Sequence, residues 1–398
     1  MTVTIPCYPL AEDSGLTVHP EYLRLLRTRP VCRVTLPYGG DAWLVLGYEA
    51  NRTVLADRRF SRAGILGADL PRMFPRPMTQ ISLLSMDPPD HTRIRRLVLK
   101  AFKHNAVERL RGPVAGHLGR LLDGMCAAGP PADLMTHLAT RLPIHVICQI
   151  LGVPEEDRPT FAAWSATAMS VFTHSRAEVD QALGDLSLYI AGLVAQRRRE
   201  ETGDLLGDLV AARDGEDRLT EEELVFLGVT LLVVGHETAE KQLGNVVYTL
   251  LTHPDAVRLL RARPELLPQA VDEVLRLVPV QTAQGVFPRV ATADVALDGV
   301  PVRAGDTVFP FASVANHDPR VFDRPEELDI TRPAGRHLAF GYGVHTCLGS
   351  PLASIELQET VRLLLDRFPR LALAVAPDAI AWDTKGFVRG PHTLPLTW

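Results

Sequence analysis

The sequence has few cysteines, and their spacing excludes most metal and redox sites. The five cysteines stand at positions 7, 32, 126, 148 and 347 of a chain of 398 residues. They are too far apart for a zinc site, an iron-sulfur cluster or a CxxC motif. An odd number of scattered thiols is typical of a reducing compartment, so the sequence predicts a cytoplasmic protein.

Other absences exclude further classes of protein. The stretch from Met1 to Gly15 lacks a charged segment followed by an apolar one, so we expect no export signal. The most apolar run without charge, Leu224 to His236, is too short to cross a bilayer. No GxGxxG motif indicates a dinucleotide domain. A net charge of -5 gives no indication of a nucleic acid or a membrane as a partner.

What the chain does contain is a long helical pattern with short strands on either side. Residues 109–199 show helical periodicity with breaks near Gly129, Gly152 and His174. Hairpins are predicted at Gly39-Gly40 and at Asp298-Gly299. Residues 61–86 are apolar, rich in proline and without periodicity, which favours a loop that closes over an apolar ligand.

A central helix carries the first candidate catalytic residues. Thr220 and Glu223 form a capping-box pattern, and the helix behind them is apolar on every side, so we expect it to be buried. Gly235 and the back-bonding hydroxyl of Thr238 allow a local opening of this helix. Glu237 and Thr238 at such an opening could deliver protons to a bound molecule. A bent helix with a satisfied polar pair is an equally good interpretation.

The stretch Phe-Gly-Tyr-Gly-Val-His-Thr-Cys-Leu-Gly, residues 340–349, contains the only cysteine in a glycine-rich turn. Glycine permits backbone conformations that let the main chain approach a flat cofactor closely. Amide groups at the turn and at a following helix start stabilise a thiolate. Cys347 is therefore a candidate ligand for a soft metal, with a buried structural cysteine as the alternative.

Charged pairs at helical spacing add further candidates. His91 and Arg95 share a helix face that could bind a carboxylate or could be a solvated basic face. Glu273 and Arg276 could form an ordinary salt bridge. A basic cluster that could steer an acidic partner consists of Arg93, Arg96, Lys100, Lys103, Arg109 and Arg111.

The order of these motifs resembles the cytochrome P450 family, specifically its soluble bacterial members from actinobacteria, over nearly the whole chain. The loop from Phe340 to Gly349 is similar to the family's haem-binding loop, and residues 235–238 are similar to its oxygen-activation motif. The resemblance implies a mainly α fold, a single domain over residues 1–398 with a small antiparallel sheet region. It also implies haem b between the helix of residues 221–251 and the Cys347 loop, with O2 as co-substrate.

The resemblance also implies roles for individual residues. Cys347 would be the axial iron ligand, and Glu237 and Thr238 would be catalytic. The residues expected to contact the rest of the haem are His91, Arg95, Arg289, Phe340, Gly341, His345 and Gly349. The residues expected to form a structural ion-pair group are Glu273, Arg276 and Arg332.

The sequence departs from the family pattern beside the oxygen-activation motif. Val234 stands where alanine or glycine is usual, and Ala239 stands where a second threonine is common. The charged residues Glu240 and Lys241 follow. These changes retain the acid and the alcohol but put the usual substrate pose in doubt.

The implied function is a monooxygenase that hydroxylates or epoxidises a bulky natural product in the biosynthesis of secondary metabolites such as antibiotics. Residues 161–176 could be a lid. The predicted substrate-pocket residues are Ile65, Ile81, Ser82, Leu83, Val233, Val234, Ala283, Gln284, Val286 and Phe287. Two alternatives are oxidative coupling, C–C or C–N, of aromatic substrates such as cyclic dipeptides, and a haem-binding sensor without turnover.

Because the sequence contains no GxGxxG motif and no cysteine cluster, we expect electrons to come from outside. We expect a small acidic ferredoxin to dock on the basic face between Arg93 and Arg111, with a separate NAD(P)H-linked reductase. We also expect a monomer with a small-molecule substrate and with neither nucleic acid nor membrane as partner.

Overall fold

The computed structural model describes residues 5–12, 15–78, 82–99, 102–169, 174–200, 202–213 and 219–398. The helices of this part of the chain are α1 (Pro20–Thr28), α2 (Tyr48–Ala56), α3 (Asp90–Val98), α4 (His104–Glu108), α5 (Arg111–Ala128), α6 (Arg141–Leu151), α7 (Arg158–Met169), α8 (Arg176–Arg197), α9 (Leu205–Arg213), α10 (Glu221–Leu251), α11 (Pro254–Ala262), α12 (Leu267–Leu277), α13 (Ala312–Ala315) and α14 (Ser350–Arg367).

The strands are short. They are β1 (Val31–Thr35), β2 (Asp41–Val45), β3 (Phe60–Ser61), β4 (Ala132–Asp133), β5 (Arg289–Ala291), β6 (Val295–Leu297), β7 (Val300–Val302), β8 (Thr307–Pro310), β9 (Ala372–Leu373), β10 (Trp382–Asp383), β11 (Gly390–Pro391) and β12 (Pro395–Thr397). Helix dominates over strand, as the sequence predicts. None of the helices among the described residues has the length and apolar character needed to span a bilayer.

The chain forms two compact units, and each is assembled from separate stretches of sequence. The first comprises Met1–Pro88, Pro268–Cys347 and Phe387–Arg389. The second comprises Pro89–Leu267, Leu348–Gly386 and Gly390–Trp398. Because neither unit is one continuous segment, no single point in the sequence divides the chain into domains. That the chain is a single domain stays a prediction.

The first unit contains the largest sheet, with strand order β1-β2-β8-β5-β3. The predicted hairpin of β1 and β2 is present, with Val31 opposite Val45. All pairs in this sheet are antiparallel except β2 with β8, which is parallel. The second predicted hairpin joins β6 and β7, and its turn residues Asp298 and Gly299 have φ angles of 46° and 78°. Two positive φ angles are typical of a tight hairpin turn.

The second unit is organised around α10, which runs for 31 residues and packs against α6, α7, α8 and α14. Its capping box is confirmed, since the Glu223 amide donates to Thr220 Oγ1 at 3.1 Å and the Thr220 amide donates to Glu223 Oε2 at 2.8 Å. Much of the helix is buried, as the sequence predicts, although Gly235 is exposed. The helix backbone is therefore accessible at Gly235, two residues before Glu237.

Candidate active site

The loop before Cys347 presents an exposed thiol in the first unit. Gly341 and Gly343 have φ angles of 71° and 75°, a region that favours glycine. The Cys347 amide donates to the Phe340 carbonyl at 2.8 Å, which closes the loop. A side chain at Gly343 would bring its Cβ to 2.6 Å from the Leu55 carbonyl oxygen. Because the thiol is exposed, the alternative of a buried structural cysteine does not hold.

A buried arginine in the same unit faces a small cavity. Arg289 lies on β5 with 4% of its surface exposed, and its Nε has no hydrogen-bond partner. Its Nη1 donates to the Phe60 carbonyl at 3.3 Å. Burial lowers the pKa of Arg289 to about 10. The cavity is lined by Arg289 and Asp87 and also by Val344 of the cysteine loop.

These groups fit an anionic cofactor that carries a soft metal. A thiolate binds soft metals such as haem iron. A buried cation with an unpartnered donor is stabilised by a carboxylate brought against it. Haem offers both an iron atom and carboxylates, so Cys347 and Arg289 have the chemistry needed to hold it.

Arg62, another buried arginine of the first unit, was not predicted from the sequence as a site residue. Its Nε donates to the Leu84 carbonyl and its Nη1 to the Pro288 carbonyl, both at 2.7 Å. Its guanidinium lies 5.0 Å from the Phe287 ring centroid. Burial, aided by the nearby charge of Arg289, lowers its pKa to about 9. Arg62 thus connects the stretches near Ile65, Leu83 and Phe287, all three of which were predicted to line the substrate pocket.

In the second unit, α3 carries His91 and Arg95 on one face. His91 is 1% exposed and Arg95 is half-buried. Residues four apart on a helix are neighbours. The buried position of His91 disfavours the alternative of a fully solvated basic face.

Glu237 and Thr238 follow Gly235 on α10, and both side chains are partly exposed. Thr238 Oγ1 donates to the Val234 carbonyl at 2.9 Å, as predicted. The helix continues through this point without a break, so the expected opening is not present. Burial raises the pKa of Glu237 to about 7. Glu237 can therefore exchange a proton near neutral pH, which is the property required of a general acid or base.

Three side chains on the first unit form a buried ion-pair group. Arg276 donates through Nε and Nη2 to the two carboxylate oxygens of Glu273, each at 2.8 Å. Arg332 Nε donates to the same oxygens at 3.1 Å. Arg276 also donates to the carbonyl oxygens of Asn316 and Pro325. The spacing alone did not distinguish this group from an ordinary surface salt bridge, whereas its burial and its additional partners do.

The predicted substrate residues fall into different environments. Ile81 lies outside the described residues. Ala283 and Val286 pack in a hydrophobic core of the first unit, where the Tyr8 hydroxyl donates to the Ala283 carbonyl at 2.5 Å. Residues with partly accessible side chains are Ser82, Val234, Gln284 and Phe287, whereas Ile65, Leu83 and Val233 are buried.

Gln284 Oε1 is buried without a hydrogen-bond partner, which is costly unless a ligand group donates to it.

The predicted lid corresponds to α7 and the start of α8, and residues 170–173 between them lie outside the described residues.

The basic cluster is only partly available to a partner. Arg93 is paired with Glu223, and Arg111 Nη1 lies 2.7 Å from Glu359 Oε1. Lys100 lies outside the described residues. The exposed members are Arg96, Lys103 and Arg109, which we call the basic surface.

Known proteins resemble the chain over its full length. Residues 166–394 match the family model Cytochrome P450. Nocardicin C N-oxygenase from Nocardia uniformis subsp. tsuyamanensis is 46% identical over 98% of each chain. The structure of the LnmA cytochrome P450 hydroxylase from the leinamycin pathway of Streptomyces atroolivaceus S-140 has 49% identity and a TM-score of 0.93, over 99% of this chain and 100% of that one.

A further solved relative has a different reactivity. Cytochrome P450mel 107F1, described as having biaryl coupling reactivity, is 44% identical with a TM-score of 0.90 over 96% of each chain. Identity at this level over the full length establishes common family membership. The chain therefore belongs to the cytochrome P450 family, and it is a monooxygenase that uses haem with a cysteine thiolate ligand and dioxygen.

Proposed function

We propose that this monooxygenase oxidises a bulky natural product during antibiotic biosynthesis, with hydroxylation or epoxidation as the outcome. The observation that carries this proposal is the exposed thiol of Cys347 on its glycine loop, in a chain that matches tailoring oxygenases from end to end. The same match disfavours the alternative of a haem sensor without turnover. When bound, the haem supplies the activation of dioxygen.

Cys347 is the residue that we assign as the iron ligand. The buried cation Arg289 would bind one haem carboxylate through its free Nε. His91, Arg95 and His345 are proposed as the other carboxylate partners. Phe340, Gly341 and Gly349 would shape the loop. Neutralising the carboxylates is needed because burying an unpaired charge is costly.

Glu237 and Thr238 are proposed to handle protons. Glu237 is partly ionised near neutral pH because burial raises its pKa to about 7. The Thr238 hydroxyl hydrogen is engaged by the Val234 carbonyl. The Thr238 oxygen is therefore left as an acceptor, able to hold the donor group of a water or of a bound ligand.

The substrate is proposed to contact the partly accessible side chains of Ser82, Gln284 and Phe287 in the first unit and Val234 in the second. The buried residues Ile65, Leu83 and Val233 are proposed to contribute apolar surface. Apolar surfaces with one amide suit a bulky and moderately polar molecule such as a polyketide, a terpenoid or a cyclic peptide. Arg62 would keep the segments near Ile65, Leu83 and Phe287 in fixed relative positions, because it donates to the carbonyl oxygens of Leu84 and Pro288.

Oxidative coupling is the second candidate. Ala239 follows Thr238 in place of a second alcohol, and a relative of 44% identity is described as having biaryl coupling reactivity. Both observations favour a substrate radical that combines with another aromatic molecule. The two outcomes differ in product mass.

The deciding experiment is a ligand screen on the purified haem protein. A low-to-high-spin shift of the haem spectrum identifies binders, and product mass after turnover with surrogate redox partners identifies the reaction. A gain of one oxygen supports hydroxylation or epoxidation. A dimeric or cross-coupled product would replace that proposal with coupling.

Electron delivery is proposed to come from a small acidic ferredoxin, itself reduced by an NAD(P)H-linked reductase. The basic surface of Arg96, Lys103 and Arg109 is the proposed docking site. We further infer that the protein works in the cytoplasm, as its scattered thiols suggest. A monomer is proposed as well.

A further inference from the structure

Lys241 is a buried cation on the same helix face as the proposed proton-handling acid. It lies on α10 four residues after Glu237, so the two side chains are neighbours. Only 9% of Lys241 is exposed. Its Nζ lies 3.4 Å from Asp383 Oδ2, on β10. Lysine is rarely buried unless a charged group pairs with it, so this ion pair accounts for its position.

The neighbouring hairpin provides the space for Lys241. Gly390 on β11 stands opposite Asp383 in the β10–β11 pair. A Cβ at Gly390 would lie 2.8 Å from Lys241 Cδ and 2.9 Å from Lys241 Cβ. The hairpin thus contributes both the acid that binds the ammonium group and the gap that its stem occupies. These two features point to a fixed position for Lys241.

Burial has the largest effect on the Glu237 carboxyl, and three charged side chains act on it as well. Lys241 favours its ionised form, while Glu240 and Asp383 oppose ionisation, in addition to burial. His236 Nε2 lies 3.7 Å from Glu240 Oε2, and burial lowers the pKa of His236, which favours its neutral form. Among the residues that the structure describes, Lys241 is therefore the one cation that acts on Glu237.

We propose that Lys241 is a positioning residue for Glu237: fixed by Asp383 and by the gap at Gly390, its ammonium group allows the Glu237 carboxyl to ionise inside the protein. This inference rests on the proposed role of Glu237 in proton handling. The Asp383 side chain is 31% exposed, so the ion pair reaches solvent at its outer end. The α10–β10 ion pair thereby controls how readily Glu237 takes up and releases a proton.

The test is a direct titration of the Glu237 carboxyl in the diamagnetic ferrous carbonyl complex. Infrared or carbon NMR signals of labelled glutamate are followed against pH, and the signal lost in Glu237→Gln identifies the group. Lys241→Gln removes the cation and should raise the pKa of Glu237 by about one unit or more. Asp383→Asn keeps an oxygen that can accept from Lys241 Nζ but removes the negative charge that opposes ionisation, so it should lower the pKa of Glu237.

Two further variants separate this role from general disturbance of the hairpin. Gly390→Ala displaces the lysine stem and should raise the pKa of Glu237, as Lys241→Gln does. Lys385→Gln removes an exposed lysine two residues after Asp383 and should leave it unchanged. Equal shifts in Lys241→Gln and Lys385→Gln, or no shift in Lys241→Gln, would overturn the assignment of Lys241.

A second measurement distinguishes this inference from the proposed function on which it rests. The pH dependence of product formed per NADPH consumed should move with the titrated pKa in both Lys241→Gln and Asp383→Asn. If the pKa values shift with opposite signs and the product yield does not follow, the electrostatic role of Lys241 stands and proton handling by Glu237 fails. If the pKa values do not shift, the role of Lys241 fails whatever the yield does.

Discussion

Glu356 on α14 shows what burial does to a single carboxyl group. The residue is 3% exposed, and burial alone raises its pKa to about 8 from an ordinary value of 4.5. Between these two values the unfolded chain has released a proton that the folded protein keeps. The group therefore lowers the free energy of unfolding by about 1.4 kcal/mol for each pH unit in that window.

Glu356→Gln should remove this pH dependence. Relative to the wild type, the variant should gain stability steadily as the pH rises from 4.5 to about 8 and should gain no more beyond it. Denaturant unfolding at several pH values measures the difference. Glu222→Gln, at an exposed position in the first turn of α10, is the control. Parallel stability curves for wild type and Glu356→Gln would contradict the prediction.

Glu237→Gln should separate binding from turnover. The substitution keeps the shape of the side chain but removes its ability to exchange a proton. We expect product formation to fall about 100-fold, the lower range for loss of a general acid or base. The spin shift on adding substrate should be retained. An unchanged rate in Glu237→Gln would exclude the residue from proton delivery.

Helix α12 owes its anchoring to the carboxylate of Glu273, which accepts from two arginines. Glu273→Gln would leave Arg276 and Arg332 without their counter-charge in a buried position. We expect a loss of about 3–5 kcal/mol in the free energy of unfolding. Calorimetry or denaturant unfolding can measure it.

The control for that prediction has the same spacing on the surface. Asp255 and Arg258 of α11 are also three residues apart, but their side chains are 84% and 74% exposed. Asp255→Asn should therefore cost less than about 1 kcal/mol. A similar loss in both variants would mean that burial is not what gives the Glu273 group its importance.

Elements fixed by neighbouring residues could be predicted from the sequence, and those fixed by distant ones could not. The capping box of α10 and the Asp298-Gly299 turn depend on residues at most three positions apart. Arg62 instead meets partners 22 and 226 positions away. Its pattern in the sequence is that of any surface arginine, so only the tertiary structure reveals it.

At the scale of the whole molecule, the sequence predicts more unpaired positive charge on the basic face than the structure contains. Arg93 and Arg111 are already paired with Glu223 and Glu359. Counting charges along the chain cannot reveal such pairs, because the acids lie more than a hundred positions away. The positive charge available to a redox partner is therefore smaller than the sequence suggests.

Reversing charge on the basic surface should slow electron delivery. Lys103→Glu combined with Arg109→Glu should lower the ferredoxin-dependent rate about tenfold at low ionic strength, with the difference shrinking as salt is added. Stopped-flow reduction at several salt concentrations measures it. Arg93→Glu is expected to reduce stability instead, since it faces Glu223. Rates insensitive to salt and to the double reversal would exclude this docking site.

The central claim is that Cys347 supplies the thiolate that makes the haem of this protein a P450 centre. The carbon monoxide spectrum of the reduced protein reports that ligand directly. The wild type should show the red-shifted band that thiolate ligation produces, and Cys347→Ser should lose it while Cys126→Ser, a control at another thiol, keeps it. An unchanged band in Cys347→Ser would contradict the account.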